Sequence, residues 1–175
     1  MRSTLRLVLL ALLLAPWSAA ALDFSVKTLD GKPLSSKDLH GKVVLLDFWG
    51  TWCQPCVSAV PSLRELSHEM KGEPFVLVSV AVEEDDGPVR SFVKKYQMDW
   101  PQVWDPTATF ARQSGISRFP TYILLSHDGT VLSTVVGTSR GVERSLRAKV
   151  EQAVNAAKTA KTAKKAGPPA GELTR

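Results

Sequence analysis

Cysteine is nearly missing from this chain: Cys53 and Cys56 are the only two in 175 residues. No disulfide framework staples the fold, and any disulfide within one chain must join that pair. Histidine is scarce too. His40, His68 and His127 lie in no ligand-like spacing, and zinc normally takes four ligands, so neither a metal nor any other cofactor is expected. Charge imbalance is absent from the middle of the chain. Of the formal +5, Arg2 and Arg6 supply +2, and Lys158, Lys161, Lys164, Lys165 and Arg175, less Glu172, supply +4. That leaves residues 22–157 near −1, so no nucleic-acid partner is implied by the domain itself. The apolar stretch Leu7–Ala15 falls short of the roughly 20 residues that span a bilayer, and no cysteine lies near its end to carry a lipid.

What is present gathers in one stretch, Val43 to Cys56. An apolar run of strand length, Val43 to Phe48, stops at Gly50. The two cysteines follow with Gln54-Pro55 between them. Val57, Val60, Leu63, Leu66 and Met70 then recur at helical intervals. The pair therefore falls where a buried strand becomes a helix, at the first helical turn. Unpaired N–H groups and the positive end of the helix dipole favour a thiolate there. On this reading Cys53, at the exposed helix start, is the nucleophile, and Cys56, one turn deeper, resolves the mixed disulfide. Pro55 helps fix the turn between them.

This stretch resembles the active site of the thioredoxin superfamily: Asp47 six residues before the first cysteine, then Phe48-Trp49, Trp52 beside the pair, and Pro55 as second spacer. The phrase Phe48-Trp49-Gly50-Thr51-Trp52-Cys53-Gln54-Pro55-Cys56, with Pro61 beyond it, is similar to the TlpA/ResA group of exported thiol–disulfide oxidoreductases. The resemblance implies that Asp47 is a buried acid, able to accept the Cys56 proton or to tune the thiols. It also implies that Pro120, before Thr121, is the cis-proline facing the dithiol, with a substrate strand pairing just ahead of it. Phe119 departs from the small aliphatic residue common in thioredoxins. Trp52, Gln54, Pro55, Phe119 and Pro120 are the expected substrate-facing residues.

The remaining pattern gives an α/β chain with a mixed central sheet and helices on both faces. Phe24 to Leu29 with Asp30-Gly31 predicts a hairpin, which resembles the N-terminal extension of the same group. Phe75 to Val82 reads as a strand covered on both faces. Pro88 suits the first position of an inserted helix, and Gln102–Trp104 predicts a short strand. Thr107–Gln113 predicts a short helix, and strands follow over Thr121–Leu125 and Val131–Val136, joined at His127-Asp128-Gly129. Val142, Leu146, Val150, Val154 and Ala157 stripe the last helix. The domain expected is 22–157. Before it, 1–21 reads as a signal peptide: a basic front, a short apolar core, Pro16, and Ser18-Ala19-Ala20-Ala21. After it, 158–175 is Lys/Ala/Gly/Pro-rich and is expected to be disordered.

Export places the dithiol in an oxidising, periplasmic compartment. With no cation beside Cys53 and an acid beneath it, thiolate stabilisation is limited, and the couple is expected toward the reducing end. The expected function is reduction of protein disulfides by a monomer. The resemblance suggests apocytochrome c or oxidase copper-site cysteines as substrates, and a membrane thiol donor of the CcdA/DsbD type. A second reading, from another class, is a module that binds Cu(I) through the two thiolates. A peroxiredoxin reading fails on its motif, because Gly50 stands three residues before Cys53 and Cys53 three before Cys56. The acidic run Glu83–Asp86 is expected to complement a helix N-terminus.

Overall fold

A computed structural model describes residues 21–166. The expected signal peptide, all but its last residue, and the end of the tail lie outside them. Strands β1 (Ser25–Lys27) and β2 (Pro33–Ser35) pair antiparallel with Val26 opposite Leu34. Their turn needs Gly31, which sits at φ +84°, a region unfavourable to residues with a Cβ. A 3₁₀ turn, Ser36–Leu39, follows with a capping box from Ser35 and Asp38. Next come β3 (Val43–Trp49), α1 (Gln54–Glu69), β4 (Phe75–Ala81), α2 (Asp86–Lys95) and β5 (Gln102–Trp104). The chain closes with α3 (Thr109–Gln113), β6 (Thr121–Leu125), β7 (Val131–Val136) and α4 (Arg140–Ala166).

The main sheet has the order β5-β4-β3-β6-β7. β3, β4 and β5 are parallel, and β6 runs antiparallel to β3. The end of β3 and the beginning of β6 therefore meet, with Phe48 opposite Thr121. All seven β3 residues are buried, because both faces are covered. On one face Val43, Leu45 and Trp49 pack with Leu63 and Leu66 of α1, Val89 of α2, and Leu146 and Val150 of α4. On the other, Val44, Leu46 and Phe48 pack with Phe24, Leu39 and, from α3, Phe110. Strand alternation makes the split, since successive side chains point to opposite faces. Each fully buried large side chain contributes about 1.5–3 kcal/mol, so this central strand anchors the element that delivers the cysteines.

Three expectations need correction. Pro88 is the third residue of α2, not the first, because Asp85 caps the helix through Gly87 N–H at 2.9 Å. The short helix begins at Thr109, since Asp105 and Ala108 turn the chain first. The chain beyond 157 is helical through Ala166, where disorder was expected from 158. Alanine and lysine are strong helix formers, the helix is already nucleated by its buried stripe, and Lys158 reaches Glu73 at 2.5 Å. Among the described residues no helix is long and apolar enough to cross a membrane.

Candidate active site

The site begins where β3 runs out. After Trp49 the chain turns through Gly50, Thr51 and Trp52, and Cys53 N–H donates to the Gly50 carbonyl at 3.1 Å. Gly50 is required by packing: a Cβ there would lie 2.5 Å from Nε1 of Trp52. The Trp52 indole lies against this turn and donates Nε1–H to the Val82 carbonyl at 3.2 Å.

Cys53 is the N-cap of α1. Its backbone carbonyl accepts from Val57 N–H at 3.0 Å, and its Sγ accepts from Cys56 N–H at 3.2 Å. Pro55 occupies the first turn, where its missing N–H costs nothing. No acidic residue stands in that turn, so the positive helix end acts on the Cys53 sulfur unopposed from its own helix. Cys53 and Cys56 form a disulfide with Cα atoms 5.2 Å apart. Cys53 is only 5% exposed. The expectation of an exposed sulfur is corrected: the chain around the cap covers it, while Gln54 and Pro55 stay exposed.

Asp47 lies two residues before Trp49 on the sheet face that α1 covers, the face of Leu45 and Trp49. It is buried, and one carboxylate oxygen accepts from Ser79 Oγ at 2.8 Å. Ser79, opposite Asp47 in the register, accepts in turn from Trp100 Nε1–H at 2.9 Å. Burial pushes the Asp47 carboxyl up to about 7, and the single hydroxyl bond offsets only part of that. Tyr122, opposite Asp47 on β6, has its phenol pushed up by burial and by the Asp47 and Glu143 carboxylates.

A second carboxylate stands at the rim. Glu83 accepts from Thr51 N–H at 3.0 Å and Thr51 Oγ–H at 2.6 Å. Its own carbonyl accepts Trp104 Nε1–H at 2.7 Å. The acidic run thus divides its work. Asp85 caps α2 and Asp86 pairs with Arg90 at 2.7 Å, as a helix N-terminus invites. Glu83 instead ties the end of β4 to the turn before the cysteines. Sequence spacing did not point to Glu83, which is 32 residues from Thr51. Only the parallel β3–β4 register brings them together.

Phe119 and Pro120 are joined by a cis peptide bond at the head of β6. Thr121 pairs with Phe48, which sets this bond beside the end of β3. The Phe119 ring meets the Trp52 indole edge to face, with centroids 5.3 Å apart, so Trp52 and Phe119 are brought together. Trp100 and Trp104, not placed by sequence, belong to the floor and the rim. Among the described residues no group of three or more His, Cys, Asp or Glu side chains could hold a metal.

The redoxin family profile matches residues 18–154. ResA, a thiol–disulfide oxidoreductase of Bacillus thuringiensis subsp. konkukian, is 35% identical over 115 residues, which are 66% of this chain and 66% of ResA. The match therefore spans about two thirds of that relative's length. Among solved structures, a thioredoxin-family thiol:disulfide interchange protein of Chlorobium tepidum superposes with a TM-score of 0.68 at 28% identity, covering 78% of this chain and 97% of that one. A secreted Mycobacterium tuberculosis disulfide oxidoreductase homologous to Escherichia coli DsbE gives 0.65 at 26% identity, over 74% and 95%. Relatives, fold and cysteine geometry agree: the chain belongs to the redoxin family, and the relatives it resembles there are ResA thiol–disulfide oxidoreductases.

Proposed function

We propose that this protein is an exported reductant of protein disulfides, with Cys53 as nucleophile and Cys56 as resolving thiol. One observation carries the reading: a disulfide-forming cysteine pair on the first turn of α1, at the end of the strand that holds the buried Asp47 carboxyl. In the reduced protein the Cys53 thiolate attacks one sulfur of a substrate disulfide. A bond forms between Cys53 Sγ and that sulfur, the substrate S–S bond breaks, and the other substrate sulfur leaves as a thiolate. Cys56 then loses its proton and attacks Cys53 Sγ. The intramolecular disulfide forms, and the second substrate thiolate is released and protonated. Two electrons pass from the protein dithiol to the substrate. Asp47, pushed up to about 7, is matched to taking the Cys56 proton at neutral pH.

The direction follows from opposing fields. The helix end favours the Cys53 thiolate, while burial and an ionised Asp47 oppose it. The couple sits toward the roughly −270 mV of reductants, away from the −120 mV of strong oxidants. Export is supported by the leader sequence and by the secreted structural relative. A reductant in an oxidising compartment needs electrons, so a membrane thiol donor of the CcdA/DsbD type supplies them. Apocytochrome c or oxidase copper-site cysteines are the substrates suggested by the ResA likeness. The test is trapping. Cys56→Ala should accumulate mixed disulfides with its substrates, and Cys53→Ala should not. Equal trapping by both variants would remove the assignment of roles.

A further inference from the structure

Beside the dithiol runs an open groove of about 790 Å³ that the exchange chemistry leaves unexplained. Trp52, Val82, Glu83, Glu84, Pro106 and Ala108 line it. Trp52 is 57% exposed, the most exposed large apolar side chain among the described residues, and it immediately precedes Cys53. One side of its indole lies against Gly50, and Nε1–H is held by the Val82 carbonyl. The ring therefore stays in place, with Phe119 against it at 5.3 Å and its exposed surface lining the groove. The opposite wall is equally fixed: Asp105 N–H donates to the Ala81 carbonyl at 2.9 Å, and Arg112 holds the Thr107 carbonyl at 2.6 Å.

The charge in this groove is of one sign. The Glu83 carboxylate is occupied by Thr51. Glu84 is exposed, with no ion pair or hydrogen bond to its carboxylate among the described residues. An exposed indole beside an unpaired carboxylate fits a cation with an apolar stem, which is the chemistry of arginine or lysine. Among the described residues no lysine or arginine pairs with Glu83 or Glu84. Lys158 pairs with Glu73, before β4, and Leu22 N–H bonds the Gly129 carbonyl, after β6. Leu22 and Lys158 thus sit at the end of the sheet opposite the groove, which lies at the carboxyl end of β4.

We propose that this groove binds the polypeptide substrate beside its disulfide, and selects a segment carrying an arginine or lysine next to the cysteine that Cys53 attacks. The proposal rests on the oxidoreductase reading above and specifies its substrate class. A cation over an exposed ring and beside one exposed carboxylate amounts to about a tenfold preference.

The experiment uses the reduced full-length protein and three short peptides with an internal disulfide, identical except for arginine, alanine or glutamate beside the first cysteine. Single-turnover rates are normalised to the alanine peptide. The arginine peptide should react about tenfold faster than the glutamate peptide, with the gap closing at 1 M salt, where the Debye length is about 3 Å. Glu84→Gln should narrow the gap, and Glu84→Lys should abolish or reverse it. Trp52→Leu should narrow it while leaving its salt dependence. Equal rates for all three peptides, or a preference unchanged by Glu84→Lys, would overturn the groove assignment while leaving the reductase reading intact. Failure to reduce even the alanine peptide would instead sink that reading. A concentration-dependent dimer dissolved by Glu84→Lys would make the occupant a second copy and also overturn the proposal.

Discussion

Two carboxylates belong to the elements that lead to the dithiol, one on β3 and one bonded to the turn before Cys53, and they differ in almost everything except their chemistry. Asp47 lies on the floor, buried, with one hydroxyl as partner. Glu83 lies at the half-buried rim and takes two hydrogen bonds from one threonine. On the floor, burial penalises the charge and one hydroxyl cannot offset it, so the group titrates near 7 and becomes a proton acceptor. At the rim, water shares the charge and both bonds go to the chain just before Cys53, so the group holds a turn. Burial and partner count, not residue type, separate the two roles.

The comparison breaks most visibly at Asp47. Its carboxyl titrates near 3.8 in the unfolded chain and near 7 when folded. The folded state binds the proton more tightly, so this stability contribution is full below pH 4 and is lost as pH rises through 7. The fall is on the order of 4 kcal/mol. Urea denaturation of the oxidised protein from pH 4 to 8 should show that fall, and Asp47→Asn should flatten it and be the more stable variant at pH 8. The same variant should slow resolution of the mixed disulfide by about 100-fold, the scale of a lost general base, while leaving its formation nearly unchanged. A wild-type profile without slope, or two unaffected kinetic steps, would reduce Asp47 to packing.

Glu83 should respond to a different pair of substitutions. Glu83→Ala removes both acceptors of Thr51 and should cost about 3 kcal/mol. Glu83→Gln keeps one acceptor oxygen and should recover more than half of that, with no change in the pH slope set by Asp47. If the glutamine variant is as weak as the alanine one, the charge itself holds the turn. Thermal melts at pH 5 and 8 separate these outcomes.

The smallest effect is expected at Ser79, which belongs to the floor but carries no charge. Ser79→Ala removes the one bond that holds the Asp47 carboxylate and strips Trp100 Nε1–H of its acceptor. The loss should be about 1 kcal/mol at pH 5, where Asp47 is protonated. It should grow at pH 8, because the lost bond favoured the charged form. An equal loss at both pH values would mean that Ser79 serves Trp100 alone.

Much of the site was legible along the chain because its parts are consecutive. Asp47, Trp52, Cys53, Pro55 and Cys56 lie within ten residues, and a strand running into a helix fixes their relative places by local geometry alone. The role of Asp47 and the places of Phe119 and Pro120 were legible only through the family likeness, and 64 residues separate Pro120 from Cys56. Glu83, Ser79, Trp100 and Trp104 were not legible as site residues. Nothing in their spacing reports which strand will lie beside β3, or in what register.

The sequence by itself determined the elements: a continuous apolar strand that stops at Gly50, a helix with the cysteine pair at its first turn, and a helical stripe that ends at Ala157. These follow from periodicity, capping and backbone preference, which act over a few residues. Tertiary structure alone decided the environment of each charge. Pairing β4 beside β3 brought Ser79 to Asp47 and Glu83 to Thr51. Closing α1 over that face buried Asp47, and packing around the cap buried Cys53. A pKa depends on what surrounds a group in space, and that surrounding is assembled from strands and helices far apart in the chain.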